Sequence, residues 1–165
     1  TCKNITQRSL QQGDYAVIEL NEAQTNRTYF NLSRSLQAPE VGTHVSMLGY
    51  PNGKPLKFTA NAQVIATFGS SDFTTIQPWQ FVTNLDSFEG NSGSPIFNSE
   101  TLEVVGILVD GPQDIKTAED KSISDAMYPE IPTLDQINKV TGFLGERATA
   151  ISSILEELSP VALNR

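Results

Sequence analysis

The residues best suited to chemistry form one short run, Gly90-Asn91-Ser92-Gly93-Ser94-Pro95. Two glycines and a proline bracket a small hydroxyl residue. Glycine reaches backbone conformations closed to other residues, so this run can turn tightly enough to bring a serine oxygen and two backbone N–H groups to one point. That arrangement suits a nucleophile facing an oxyanion hole, and hence acyl transfer. A serine hydroxyl is a weak nucleophile near neutral pH and needs a base within hydrogen-bond reach. The chain has one histidine, His44. No Ser-x-x-Lys element surrounds Ser92, which removes the lysine-based alternative.

The elements that must hold this turn read as strands. Residues 79–83 and 104–109 flank it as apolar runs. Residues 15–20, 45–50, 57–66, 73–76 and 94–97 show similar runs or alternation, separated by turn residues such as Pro51-Asn52-Gly53. This spacing predicts an all-β barrel or sandwich. Residues 110–132 turn polar and acidic and read as a long surface loop. Asp114, Glu119, Asp120, Asp125 and Glu130 lack the spacing of a calcium-binding loop. Thr133-Leu134-Asp135-Gln136 is a capping-box pattern that opens a short helix to about Val140. Ala148, Ile151, Leu155 and Leu158 fall on one face of a second helix, which stops before Pro160. An α/β-hydrolase elbow needs Gly-x-Ser-x-Gly followed by a helix. Here the final glycine is Ser94 and a strand follows, so that reading is excluded.

Composition narrows the partners. A chain of 165 residues is enough for one domain with a sizeable core. Only 18% of residues are charged. Polar Thr, Ser, Asn and Gln fill the gap, as suits strands joined by polar turns. The net charge is -8 with no Lys/Arg cluster, so nucleic acid is not expected as a partner. The longest apolar runs fall far short of a membrane span. One cysteine, Cys2, and one histidine cannot build a zinc site between them, and no metal or cofactor is expected. Cys2 is a free thiol or pairs outside this chain. Three Asn-x-Ser/Thr sequons, at Asn4, Asn26 and Asn31, are what chance supplies in a chain rich in Asn and Thr.

The sequence resembles the trypsin-like serine endopeptidases, most closely their bacterial branch near the glutamyl endopeptidases. Residues 90–98 match the nucleophile turn and the strand after it. Gly13-Asp14-Tyr15-Ala16-Val17-Ile18-Glu19-Leu20 matches the strand that begins with the triad aspartate. Gly42-Thr43 through Gly53 matches the way into the second barrel, and residues 105–109 match the strand beside the substrate. The order of Asp before Ser fits the arrangement His, Asp, Ser.

The resemblance implies a trypsin-like double Greek-key β-barrel fold, of which this chain holds the last strand of barrel one, barrel two and a C-terminal α-helix. Residues 1–40 would end barrel one and form the linker, 41–132 would form barrel two, and 133–165 a helical segment. It implies that Ser92 attacks a peptide carbonyl, that the N–H groups of Gly90 and Ser92 hold the oxyanion, and that a buried Asp14 orients the catalytic imidazole. The edge carrying Val109 and Gly111 would pair with extended polypeptide substrate. Asn91 stands where trypsin has an aspartate that pairs with a newly cut N-terminus, which argues against activation of that kind. Asp86, six positions before Ser92, would suit a cationic substrate side chain; the alternative is that it faces solvent or caps a turn. Glu-preferring relatives carry a pocket histidine, and Val109-Asp110-Gly111 has none.

In this family the base precedes the aspartate, and only thirteen residues precede Asp14. His44 follows it. The expectation is therefore a serine endopeptidase whose histidine lies in a missing N-terminal segment, which also supplies the other strands of barrel one. The partners expected are that segment and a polypeptide substrate, in a secreted or periplasmic setting. The alternative is a catalytically inactive, protease-like module that binds peptide or protein.

Overall fold

In the computed structural model, residues 1–7, 13–70, 76–111, 145–155 and 158 are described. Alternating side chains build its centre. In strand β3 (His44–Gly49) Val45 and Met47 point inward. In β4 (Lys57–Thr67) Ala62 and Val64 do the same. Phe81 of β5 (Gln80–Thr83), Ile96 of β6 (Pro95–Asn98) and Leu108 of β7 (Val104–Asp110) complete the ring with Ala148 and Ala150 of β8 (Glu146–Ala150). The six strands close into an antiparallel barrel in the order β3-β4-β5-β8-β7-β6. Closure gives each of the six strands a neighbour on both sides. Each large apolar side chain buried there contributes roughly 1.5–3 kcal/mol.

Outside the barrel lies a separate ribbon, β1 (Cys2–Gln7) paired antiparallel with β2 (Ala16–Leu20). It docks through Tyr15, which packs with Phe97, Val104, Ile151 and Ile154 in a second apolar cluster. The linker between ribbon and barrel is stitched to the start of β7. The Val104 N–H donates to the Asn31 carbonyl (2.8 Å), and the Ser33 N–H donates to the Val104 carbonyl (2.9 Å).

The all-β barrel agrees with the sequence reading, and the strands expected near residues 15, 45, 57, 81, 94 and 104 are present. The C-terminal end differs. Ala148, expected on a helix, lies in β8, and residues Ile151–Ser153 form a single 3-10 turn. β5 and β7 each need a second neighbour, and only a sixth strand supplies both. A strand followed at once by a turn spaces its apolar residues at intervals that imitate a helix. The barrel therefore runs to residue 150, past the expected limit at 132. The helix expected at 133–140, the loop at 112–132 and the strand start at 73–75 lie outside the described residues. No helix among the described residues is long and apolar enough to cross a membrane.

Candidate active site

The serine turn is held at one rim of the barrel, where β3, β5 and β7 end and β4, β6 and β8 begin. Gly90 and Gly93 have φ of 92° and 87°, values that favour glycine. Each flanking contact fixes the turn. The Asn91 N–H donates to the Phe88 carbonyl (3.2 Å) and the Ser94 N–H to the Asn91 carbonyl (2.9 Å). The Asn52 N–H donates to the Glu89 carbonyl (2.7 Å), and a Cβ at Gly90 would sit 3.0 Å from that same nitrogen. On the other side, the Gly93 N–H donates to the Leu108 carbonyl (2.7 Å) and the Leu108 N–H to the Ser94 carbonyl (3.0 Å). Two N–H groups are left over. Those of Gly90 and Ser92 have no hydrogen-bond partner among the described residues. They are the pair named from the sequence as oxyanion donors. Ser92 itself is exposed.

β7 continues past this turn. Its last pair with β6 is Ile107 with Pro95. Beyond Leu108, Val109 and Gly111 have no strand partner on the side facing Ser92 among the described residues. A bulge between Leu108 and Asp110 shifts the register with β8. Asp110 is then gripped by Arg147 in a two-pronged ion pair at 2.7 and 2.8 Å. The edge is thereby anchored next to the serine turn.

Asp14 sits at the foot of β2. Its carbonyl accepts a bond from the Thr149 hydroxyl (3.4 Å). Thr149 lies across β7 from Pro95, through Ile107. Two strand spacings, roughly 10 Å, thus separate the backbone that holds Asp14 from the backbone that leads out of the serine turn. The Asp14 side chain is exposed, not buried as the resemblance implies. Among the described residues β2 has one strand neighbour, β1, and no layer covers that side of the ribbon.

Asp86 is half-buried, and its carbonyl accepts from the Thr59 hydroxyl (3.1 Å). Burial pushes its carboxyl pKa above the usual aspartate value. Asn91 is buried against Gly49, and its Oδ1 has no hydrogen-bond partner among the described residues. His44 lies at the far end of β3 from Gly49, about 17 Å of extended chain away. It lines a groove of about 570 Å³ with Phe30, Phe58, Phe97 and Leu102, on the outside of the barrel. That groove is remote from the serine turn, and His44 is out of reach of Ser92. Two residues were not legible as site residues from the sequence, Thr149 and Glu146. Thr149 touches the backbone of Asp14 across the whole chain. Glu146 is buried at the serine rim, and a Cβ at Gly111 would overlap its carboxyl group. The one signal for both is the alternation 146, 148, 150 of β8.

A closed antiparallel barrel with this serine turn at its rim defines a chymotrypsin-fold protein. The chain belongs to the trypsin-like peptidase domain family, whose model matches residues 3–107. No curated protein matches the sequence significantly. Among solved structures it is similar to the scabies mite inactivated protease paralogue S-I1, at 14% identity and a TM-score of 0.62, covering 99% of this chain and 68% of that one. It is also similar to the active form of the Rv3671c protease from M. tuberculosis, at 14% identity and a TM-score of 0.55 over 94% of this chain. A third is kallikrein-related peptidase 10 in complex with Zn2+, at 12% identity and a TM-score of 0.58, covering 99% of this chain and 73% of that one. The chain spans 56% of that active mycobacterial protease and 65% of an inactive form of Rv3671c. At these identities the likeness is one of fold.

Proposed function

We propose that this chain carries the nucleophile half of a serine endopeptidase, completed by a histidine from an N-terminal segment outside these residues. The observation that carries the reading is the pair of unpartnered N–H groups, Gly90 and Ser92, beside the open edge at Val109 and Gly111. A peptide lying along that edge presents a carbonyl carbon to the Ser92 Oγ. The histidine takes the hydroxyl proton as the C–O bond forms, and the two N–H groups receive the oxyanion. The same imidazolium returns its proton to the departing amine, leaving an ester on Ser92. Water, activated by the histidine, then releases the acid and restores the serine. Asp14 holds the imidazole in orientation and steadies its positive charge. In such an assembly the added segment would cover the exposed face of Asp14. Asn91 supports the bacterial branch of the family, with a secreted or periplasmic location.

The second reading is an inactive module that grips peptide or protein on the same edge. It is favoured by the position of His44, far from Ser92. It has a parallel in the mite paralogue, whose name describes it as inactivated. A fluorophosphonate probe separates the two. Protein purified from its source with whatever co-purifies should be labelled on Ser92, and Ser92→Ala should not. Absence of labelling, with no histidine encoded upstream of Asp14, overturns the endopeptidase and leaves the binding module.

A further inference from the structure

The groove on the outside of the barrel stands apart from the serine rim. Its floor is the outward face of β3, where His44, Ser46 and Leu48 alternate with the core residues Val45 and Met47. Phe58 of β4 stands opposite Leu48 on one side, and Phe97 of β6 stands opposite Ser46 on the other. Phe30 joins them from the linker. Its ring meets that of Phe97 at 4.8 Å and an angle of 73°. The next residue, Asn31, is tied to the start of β7 through the Val104 N–H. Phe30, Phe58 and Leu102 remain 58, 65 and 68% exposed around this one hollow of about 570 Å³.

Backbone strain gathers at the same place. Among the described residues, three other than glycine have positive φ. Asn52 (φ 50°) belongs to the clamp on the serine turn. The other two, Asn61 (φ 62°) and Leu102 (φ 59°), line the groove. Asn61 lies in a bulge: β4 has one residue more than β3 between the pairs Val45–Ala62 and Met47–Thr59. Leu102 ends the hairpin loop between β6 and β7, which its N–H closes on the Asn98 carbonyl (2.9 Å). Glycine or asparagine is the ordinary choice at such a left-handed loop position. A leucine there is strained and also bares its apolar side chain to water, so folding alone gives no reason for it. Strain that the surroundings hold in place points to function.

The lining says what would bind. The hollow has the size of small-ligand sites, about 300–1,000 Å³. β3, β4 and β6 each have two strand neighbours, so they offer no edge to an extended peptide. The faces of phenyl rings carry negative potential and attract cations. Glu100 is the one carboxylate on the lining, and no Lys or Arg lies on it. Among the described residues no cation pairs with Glu100. Its N–H donates to Asn98 Oδ1 (2.8 Å), which fixes the loop that carries it. The chain's net charge of -8 adds a field of the same sign. We propose that this groove is a binding site for a small organic cation with an aromatic or branched apolar body, seated on Phe30, Phe58 and Leu102 with its charged head toward Glu100. The site goes beyond the peptidase reading and stands whether or not Ser92 reacts.

The test is a proton NMR titration of the full protein with benzyltrimethylammonium. His44 is the only histidine of the chain, so its ring-proton signals report this groove. They should shift and saturate. Benzyl alcohol should shift them more weakly, and phenylacetate least. Ser92→Ala should bind the cation as wild type does. Glu100→Gln should weaken the cation roughly 3- to 10-fold and leave benzyl alcohol unchanged. Leu102→Gly should weaken both roughly 3- to 10-fold while keeping or raising the urea midpoint, because glycine relieves the loop. Signals that stay unmoved, that answer phenylacetate as strongly as the cation, or that depend on Ser92 and not on Glu100 overturn the proposal. So does a Leu102→Gly variant that binds as wild type and is less stable, which would make Leu102 a packing residue. A blocked Phe-Lys-Phe tripeptide that shifts the His44 signals when the free cation does not would give the groove to a polypeptide and sink the small-ligand site.

Discussion

The barrel and the ribbon each carry one of the two residues proposed for the triad, and they hold them in opposite ways. Ser92 sits on a closed structure whose strands all have two neighbours. Its turn is tied on one side to Asn52 and on the other to Leu108. Asp14 sits where a two-stranded ribbon meets the barrel, fixed mainly by Tyr15 and by the Thr149 contact. Ile5, Ile18 and Leu20 on that ribbon are about half exposed (56, 56 and 49%). A two-stranded ribbon is marginal by itself in water. The serine turn with its two spare N–H groups is thus preorganised, whereas Asp14 is placed but not enclosed among the described residues.

The largest effect that bears on this contrast is in the barrel core. Phe81 is fully buried and central to the interior cluster. Phe81→Ala should lose about 3–5 kcal/mol of stability in urea unfolding, enough to unfold a marginal domain. A cost near that of a surface change would show that the barrel is not the stable half. Gly90→Ala comes next. Its methyl would sit 3.0 Å from the Asn52 nitrogen at a φ of 92°, so the turn must swing away from the backbone of Tyr50 and Asn52. With one oxyanion donor misplaced, the fluorophosphonate labelling rate of the complete enzyme should fall about 10²- to 10³-fold. An unchanged rate would show that the turn is not preorganised by this clamp.

What could be read from the sequence follows the same division. The serine turn and the strands around it were legible because glycine and proline punctuate alternating apolar residues, as in 45–50 and 104–109. β1 was not legible: Cys-Lys-Asn-Ile-Thr-Gln has one strongly apolar residue and no face to bury. β8 was misread because its core residues are alanines, small enough for the space left by Phe81 and too small to announce a strand. A Cβ on Gly106 would fall 2.5 Å from the Phe81 ring, which shows how full that space is. Glu146 and Thr149 gain their neighbours only when β8 closes the barrel, through pairings across distant chain segments. No local pattern marks such contacts. The exposure of Asp14 was equally hidden, because the family pattern gives a residue's role and not what covers it.

Two smaller changes probe the serine half more finely. Asn91→Asp would bury a carboxylate whose neighbour Gly49 offers no charge, in place of an amide whose Oδ1 already lacks a partner. The variant should lose about 2–3 kcal/mol near neutral pH and recover as acid protonates the new group. A stabilised variant would reveal a cation at that site and restore the trypsin-like activation that Asn91 argues against. Asp86 already titrates above the usual aspartate value because of burial. The folded protein therefore binds that proton more tightly than the unfolded chain does. Stability should decline as pH rises from 3.8 through the raised pKa and then level off. Asp86→Asn should flatten that part of the profile in urea midpoints taken from acid to neutral pH. A slope unchanged by the substitution would place the charge of Asp86 in open solvent.

The smallest expected effect belongs to the ribbon, and it carries the comparison furthest. Ile18 pairs with Ile5 across β1 and β2, and both side chains are more than half exposed. Ile18→Ser in this chain should cost under about 0.5 kcal/mol, as surface substitutions do. Under the proposal of an N-terminal segment whose strands cover the ribbon, Ile18 becomes core. The same substitution should then cost about 2–4 kcal/mol and lower the labelling rate of Ser92 as the base loses its place beside Asp14. Equal small costs in both settings would mean that nothing packs on this face, and that the aspartate half is never enclosed. A large cost in this chain alone would mean that the ribbon is already stable. The difference between the two measurements reports how much of the Asp14 side the proposed segment builds, and the serine turn should be indifferent to it.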